Sequence, residues 1–408
     1  MAAHAGPLFA AEPAQEEAQA LARALGVLLR RAARVPSLAV KYEPYLEIGT
    51  AVALTDLPVL TRCDLTRATK EALTLRQVDG PALLWAEGGS LSKPELRLLP
   101  ADMSAAQVRR SWNPLGPADV LANLHPLDRL RPDHHFFHRF AAESDATALA
   151  FGPLPEGGHG DWPELFGGLG VTAVAAPPET VARLLAGSAA GRPLPWLRTL
   201  LLGGATHDAT PDRVLAEGFP YTEVWRLYGS PAAGTIGQRG PECLADVYHP
   251  LPYQHVEVVE GRLLVTTLDH VRHPPLIRYE TQDRGEYAHC VCGRPGPAVR
   301  VFSPAEPFFH FHGRTVSARE LAELAVATGE VTAAQVAVSK DGRQDRVQLR
   351  VRLAPGVPDD HHTREWIRYR VLENHLVLAS CVSAQPDTFE VVAVDALTGT
   401  SALVPGGF

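Results

Sequence analysis

From Glu12 to Arg34, apolar residues recur at helical spacing (Ala18, Leu21, Leu25, Leu28, Leu29), which predicts one long amphipathic helix. Pro36 ends it. From Leu57 to Phe151 short helical and strand patterns alternate. Ala146–Phe151, Val171–Ala176 and Leu197–Leu202 are short apolar runs, separated by Pro- and Gly-rich connections and by helical stretches such as Glu179–Ala186. This alternation predicts a parallel α/β sheet. From Gln254 to Thr267 the pattern becomes two strands around Glu260–Gly261, a hairpin in a more antiparallel region. Ser303–Pro307 is Pro-flanked and reads as a hinge. Beyond it come a helix (Ala318–Thr328), a strictly alternating strand (Arg346–Arg352), a helix (His362–Asn374) and a strand (Phe389–Val394). The expectation is an α/β protein with a large N-terminal domain of mixed sheets over residues 1–304. A small α+β C-terminal domain follows over residues 305–408.

Composition narrows the function. The 408 residues are 46% hydrophobic and 21% charged, with a formal net charge of −8 and a pI near 6.1. That balance argues against a nucleic-acid or anionic-membrane partner. Arg30, Arg31 and Arg34 lie in the first helical pattern and read as a solvated face. No apolar run approaches the ~18 residues of a membrane span, and the acidic first residues carry no signal-peptide pattern. A soluble, cytoplasmic protein is expected. The cysteine count is odd, five in all, which is not a disulfide framework. Cys63 and Cys381 have no supporting neighbours in sequence and read as core packing rather than nucleophiles. Lysine occurs only at Lys41, Lys70, Lys93 and Lys340.

The remaining cysteines form a constellation. Cys290 and Cys292 make a C-x-C pair, and Cys243 and His249 lie six apart upstream. Three thiols and an imidazole suit zinc, whereas magnesium and calcium want oxygen ligands. Four protein ligands leave no open position, so the role is structural, clipping together the two ends of the 243–292 segment. Buried free cysteines acting as small hydrophobes are the alternative.

The segment Trp225–Arg294 reads WRLYGSPAAGTIG, then EC…H, GRLLVTTL, PPLIRYETQDRG and CVCGR. This order resembles the phenylacetate–CoA ligase group of adenylate-forming enzymes. There a YG-x-TE motif precedes a Cys/His pair, a GELV-T-L strand, an LIRYRTGD motif and a C-x-CGR element. Leu200–Thr206 (LLLGGAT) resembles the family's adenine-contacting glycine turn, and His312–Leu321 the opening of its mobile C-terminal domain. The resemblance covers the chain from about Leu57 onward. It implies acyl-adenylate formation from a carboxylic acid and ATP, with magnesium, then transfer to a thiol of coenzyme A or a carrier protein. It also implies zinc on Cys243, His249, Cys290 and Cys292. Asp283 matches the family's ribose-binding aspartate. Tyr228, Gly229 and Ser230 match the adenine and phosphate wall, and Gly203 and Gly204 the adenine turn. Read alone, Asp283 beside Arg284 is a turn residue with an exposed ion pair, and Gly203–Gly204 an ordinary loop.

Four departures bear on the ATP step. The family's phosphate loop falls at Trp85–Pro94, where Gly88, Gly89, Ser90, Ser92 and Lys93 keep part of its character but Glu87 adds a negative charge. The magnesium-binding acid is absent from Tyr228–Ala232, the hinge arginine from Ser303–Pro307, and the tail after Asp387 contains no lysine. Three readings follow: a divergent ligase for a small or aromatic acid, an ATP-independent acyltransferase or cyclase using a preformed acyl thioester, and a non-catalytic partner subunit. Micromolar ATP affinity is not expected. His134, His135 and His138 fall where the family's chain leads into its acyl pocket. They read either as surface histidines of an aromatic helix or as a general base.

Overall fold

The computed structural model describes residues 12–46, 52–87, 95–126, 132–154, 162–177, 180–181, 184, 194–203, 212–230, 232–268, 273–302, 308–311, 314–341, 344–398 and 403–405. The chain divides into two compact units, Met1–Trp85 with Leu96–Phe302, and Ala86–Glu95 with Ser303–Phe408. No helix among the described residues is long and apolar enough to cross a membrane.

The first helical pattern forms one helix, Glu12–Ala32, and a second helix that the pattern did not predict follows at Pro36–Leu46. Pro36 ends the first and also opens the second, because its fixed φ and missing N–H suit the first helical position. The cationic stretch is not one solvated face. Arg31 is buried, and Arg34 pairs with Asp79 at 2.7 Å. A third helix, Arg62–Thr74, is fixed by a capping box between Thr61 and Asp64. Cys63 stands exposed on that helix, which corrects its reading as core. Cys381 is buried.

Strands β1 (Ala82–Glu87) and β2 (Glu95–Pro100) pair with each other. The main sheet then takes β3 (Val120–Asn123), β4 (Thr147–Ala150), β5 (Ala173–Ala175), β6 (Thr199–Leu202), β7 (Glu223–Ser230), β8 (Gly234–Arg239), β9 (Val247–Pro250), β10 (Gln254–Val259), β11 (Arg262–Thr267), β12 (Tyr279–Ala288) and β13 (Ala298–Phe302). Its eleven strands run in the order β10-β11-β12-β13-β9-β8-β7-β6-β5-β3-β4. The pairs from β4 through β7 are parallel; every pair from β7 to β10 is antiparallel. The sequence pattern predicted this change of character.

Both faces of the parallel half are covered. Leu121, Ala173, Ala175 and Leu201 pack with Phe136, Phe137 and Phe140 of the helix Pro132–Glu143. The alternate residues Ala122, Val174, Leu200 and Leu202 pack with Phe166 and Leu197 on the other side. The antiparallel half buries Tyr248, Leu263, Val265 and Val301 against Leu28, Leu38 and Leu65 of the first three helices.

The β10–β11 hairpin turns through Glu260 and Gly261 at φ 53° and 75°. Two consecutive positive φ values match the twist of the strands they join. Arg278 also has positive φ, at 51°. It is buried, ion-paired to Glu257 at 3.1 Å, and donates to the carbonyls of Thr55 and Leu57. One residue on, Tyr279 forms a β-bridge with Leu60.

The second unit holds a hairpin of β14 (Phe308–Phe311) and β15 (Arg314–Ser317), then the helix Ala318–Val326 capped by Ser317. Its four-stranded sheet has the order β18-β17-β16-β19, with β16 (Val331–Asp341), β17 (Gln344–Leu353), β18 (Phe389–Ala393) and β19 (Leu403–Pro405). The alternation in Arg346–Arg352 holds: Val347, Leu349 and Val351 point into a core with Ile367 and Val371 of the helix His361–Glu373.

Candidate functional site

The carboxyl ends of parallel strands are where open α/β sheets collect ligands. Asn123, Ala175, Gly203 and Ser230 end or follow β3, β5, β6 and β7. Gly203 lies beside the helix Pro132–Glu143, since a Cβ added there would meet the Phe137 ring at 3.3 Å. Gly229 admits no side chain, because a Cβ would stand 2.5 Å from the carbonyl oxygen of Gly234 across the β7–β8 turn. Ser230 braces that turn, its Oγ accepting from the Ala233 N–H at 3.0 Å. Gly204, the loop residues Gly88, Gly89, Ser90, Ser92 and Lys93, and the expected hinge Ser303–Pro307 lie outside the described residues.

Tyr228 and Asp283 meet. The buried Tyr228 hydroxyl donates to Asp283 Oδ2 at 2.6 Å. Their strands, β7 and β12, have three strands between them in the sheet order. A flat sheet would hold them ~19 Å apart, so the antiparallel half must curl until its inner face closes on itself. Asp283 is therefore a half-buried strand residue rather than part of a turn. Burial pushes its pKa up to about 6, against the opposing pull of the Tyr228 hydrogen bond. Ala232, at the position of the family's magnesium-binding acid, is buried in the core, so the side chains there do not fit that ion.

A small cavity opens beside this turn. Ala233, Gly234 and Thr235 line one wall, Leu99, Pro100 and Ser104 another, and Tyr253 and Thr267 the floor.

The histidines are not all at the surface, which corrects that alternative. His134 is buried, His138 half-buried and His135 exposed. His134 Nδ1 lies 2.7 Å from the His125 carbonyl oxygen and its Nε2 lies 2.8 Å from His138 Nε2. His135 Nε2 lies 2.8 Å from the carbonyl of Ala101. Burial, then the neighbouring His134 and His135, pull the His138 pKa down.

The structure brings together Cys243, His249, Cys290 and Cys292, with all four donor atoms within 4.8 Å of one another. The first two flank the entry to β9, and the other two sit in the β12–β13 turn. Because β13 pairs with β9, the two pairs of donors become neighbours. Cys292 Sγ is 3.2 Å from His249 Nε2; a tetrahedral zinc would hold such a pair about 3.6 Å apart. For Cys290 burial alone would raise the pKa, but N–H groups of Cys292 and Leu244 and the adjoining thiols outweigh it, and the net direction is toward thiolate. Burial pushes Cys243 up to about 12, against the opposing N–H of Gly240 and with the other two sulfurs adding to the rise. Burial and then Arg294 lower the His249 pKa, favouring the neutral ring a metal needs. Donor types, distances and burial fit a closed zinc site.

Sequence reasoning missed Asn123 and His125, which act through an amide and a backbone carbonyl, and the Tyr228–Asp283 bond.

No protein-family model and no curated protein matches the chain. Solved structures do. A 2-hydroxyisobutyryl-CoA ligase, in complex with its acyl-adenylate and CoA, is 16% identical over 98% of this chain and 94% of its own, with a TM-score of 0.68. The amide bond synthetase McbA from Marinactinospora thermotolerans is 18% identical over 78% and 66%, with a TM-score of 0.52. IdnL1 is 16% identical over 74% and 67%, with a TM-score of 0.51. The chain has the fold of the adenylate-forming (ANL) superfamily.

Proposed function

We propose that the chain is a divergent adenylate-forming enzyme of the phenylacetate–CoA ligase-like kind. It holds the acyl-adenylate of a small carboxylic acid and passes the acyl group to a thiol or amine. The Tyr228–Asp283 bond carries this reading. It sets a carboxylate, oriented by a buried hydroxyl, on the rim where Gly203 and the Tyr228–Ser230 turn converge. Asp283 would take the ribose hydroxyls. Similarity in fold to enzymes that bind an acyl-adenylate, with CoA in one case, supports the same reading.

The residues that should grip a triphosphate are poor. Ala232 replaces an acid, and Glu87 stands at the head of the phosphate loop. ATP is therefore expected to bind at roughly millimolar strength, about −4 kcal/mol, and an acyl-sulfamoyl adenosine, with one negative charge in place of a triphosphate's several, about 100-fold more tightly. Calorimetric titration with both ligands, beside pyrophosphate exchange against aromatic and short aliphatic acids, tests this. Micromolar ATP with acid-dependent exchange restores an ordinary ligase. Binding of neither ligand sinks the adenylate reading, and turnover of an acyl thioester without nucleotide would then favour ATP-independent transfer. We also propose structural zinc on Cys243, His249, Cys290 and Cys292, expected at one per chain by elemental analysis of protein purified without added metal.

A further inference from the structure

The hydrogen bonds of the helix Pro132–Glu143 fix where two of its histidines keep their protons. His134 Nδ1 faces the His125 carbonyl oxygen at 2.7 Å. A carbonyl only accepts, so this nitrogen bears a proton. Neutral His134 then has a bare lone pair on Nε2. That atom lies 2.8 Å from His138 Nε2, and one of the two must donate. His134 has no second proton, so His138 carries its own on Nε2. His138 Nδ1 is consequently bare, and among the described residues no hydrogen-bond partner occupies it.

The chain is clamped at its buried end. Asn123, fully buried at the end of β3, donates from Nδ2 to the His134 carbonyl at 2.9 Å and accepts the His125 N–H at 3.2 Å. The His125 ring stacks on Phe137 with centroids 4.8 Å apart. Phe137 in turn lies against Gly203. His135 ties the same helix to Ala101, beside the Pro100–Ser104 wall of the small cavity. The relay thus stands at the strand-end rim that bears Gly203, with its buried end rigid and its bare nitrogen on the half-exposed residue.

We infer that His138 is the general base of acyl transfer, positioned by His134, an inference that rests on the adenylate reading above. The acceptor's S–H or N–H proton moves to His138 Nδ1. Its freed electron pair forms the bond to the acyl carbon, and the carbon–oxygen bond to phosphate breaks, with that pair leaving on AMP. The new imidazolium donates from Nε2 to His134, a charge-assisted bond stronger than the neutral one it replaces. The pair takes up one proton, because a second would set two cations 2.8 Å apart.

Histidine ¹⁵N NMR on the full chain reads the tautomers without any substrate. His134 should be the Nδ1–H form and His138 the Nε2–H form, sharing one proton uptake as pH falls. An Nδ1–H form at His138, including the paired Nδ1–H forms a metal ion on both Nε2 atoms would impose, overturns the relay. Transfer is measured with preformed benzoyl- and isobutyryl-adenylate, using coenzyme A and hydroxylamine as acceptors. His138→Gln should lose ~10²–10⁴-fold in rate with acyl-sulfamoyl adenosine affinity unchanged within about threefold. Added imidazole should partly restore His138→Ala, a rescue no packing defect would show. His134→Gln should lose less and shift the acidic limb of the rate–pH profile, where the base takes up its proton. Wild-type rates in His138→Gln, or analogue binding by the wild type with no transfer to either acceptor, overturn the base role. Failure to bind the analogue instead removes the adenylate reading and its transfer step, while the tautomers are still decided by NMR.

Discussion

The cysteine–histidine cluster lies just past the end of strand β12, which carries Asp283 of the tyrosine–aspartate site, yet the two are assembled differently. The cluster draws its four donors from the β12–β13 turn, strand β9 and the segment just before it, made adjacent by one strand pairing, β13 with β9. The site needs a curled sheet to bring Tyr228 to Asp283, and the position of the family's magnesium ligand holds a buried alanine. Local pairing yields a complete donor set. Long-range curvature brings a buried tyrosine hydroxyl onto a carboxylate although three strands lie between their own. On the proposed function, stability and chemistry belong to separable parts of the large unit.

Cys290→Ser should have the largest effect. Loss of a structural zinc should cost on the order of several kcal/mol, a fraction of the ~10–16 kcal/mol measured for isolated fingers. Scanning calorimetry should show a fall in Tm of roughly 10 °C, with analogue affinity within about threefold of wild type. Affinity collapsing together with Tm would merge the two regions into one.

Asp283→Asn should do the reverse. Adenylate-analogue affinity should fall about 30-fold, or about 2 kcal/mol, while stability rises at neutral pH. The sign follows from a folded-state pKa of about 6, above the ordinary carboxylate value of 3.8. The ionised carboxylate then costs the wild type up to about 3 kcal/mol above pH ~6, a cost that fades as pH falls toward 3.8. Denaturant unfolding at several pH values checks it: a gap between variant and wild type that widened on acidification would refute the assignment.

Ser230→Ala should give the smallest change, about 1 kcal/mol of stability from the lost Ala233 hydrogen bond. ATP affinity should move less than about twofold. A tenfold loss of ATP binding at unchanged stability would make Ser230 a phosphate contact rather than a turn brace.

Legibility in the sequence followed locality. The hairpin at Glu260–Gly261 was readable because a polar residue and a glycine, which adopts positive φ freely, separate two apolar runs. The four metal-type ligands were readable because they come as two close pairs. Strand β16, VTAAQVAVSKD, was missed: its alanines carry little strand preference, and pairing with β17 and β19 on either side decides its state. The Tyr228–Asp283 bond spans 55 residues and depends on curvature that no local pattern encodes. The histidine relay was half readable. Residue types marked the helix, but burial of His134 and its tie to a backbone carbonyl required the fold.

Arg278 has a consequence for how the chain comes into being. Its side chain reaches back 223 and 221 residues to the carbonyls of Thr55 and Leu57. At ~5–20 residues per second of synthesis, the first three helices leave the ribosome ~10–40 s before that anchor exists. Their apolar faces at Leu28, Leu38 and Leu65 have their partners on strands made late, Leu263, Val265 and Val301 among them. The earliest-made helices of the large unit are thus among the last to be sealed, and during that interval they are natural clients for a chaperone at the tunnel exit.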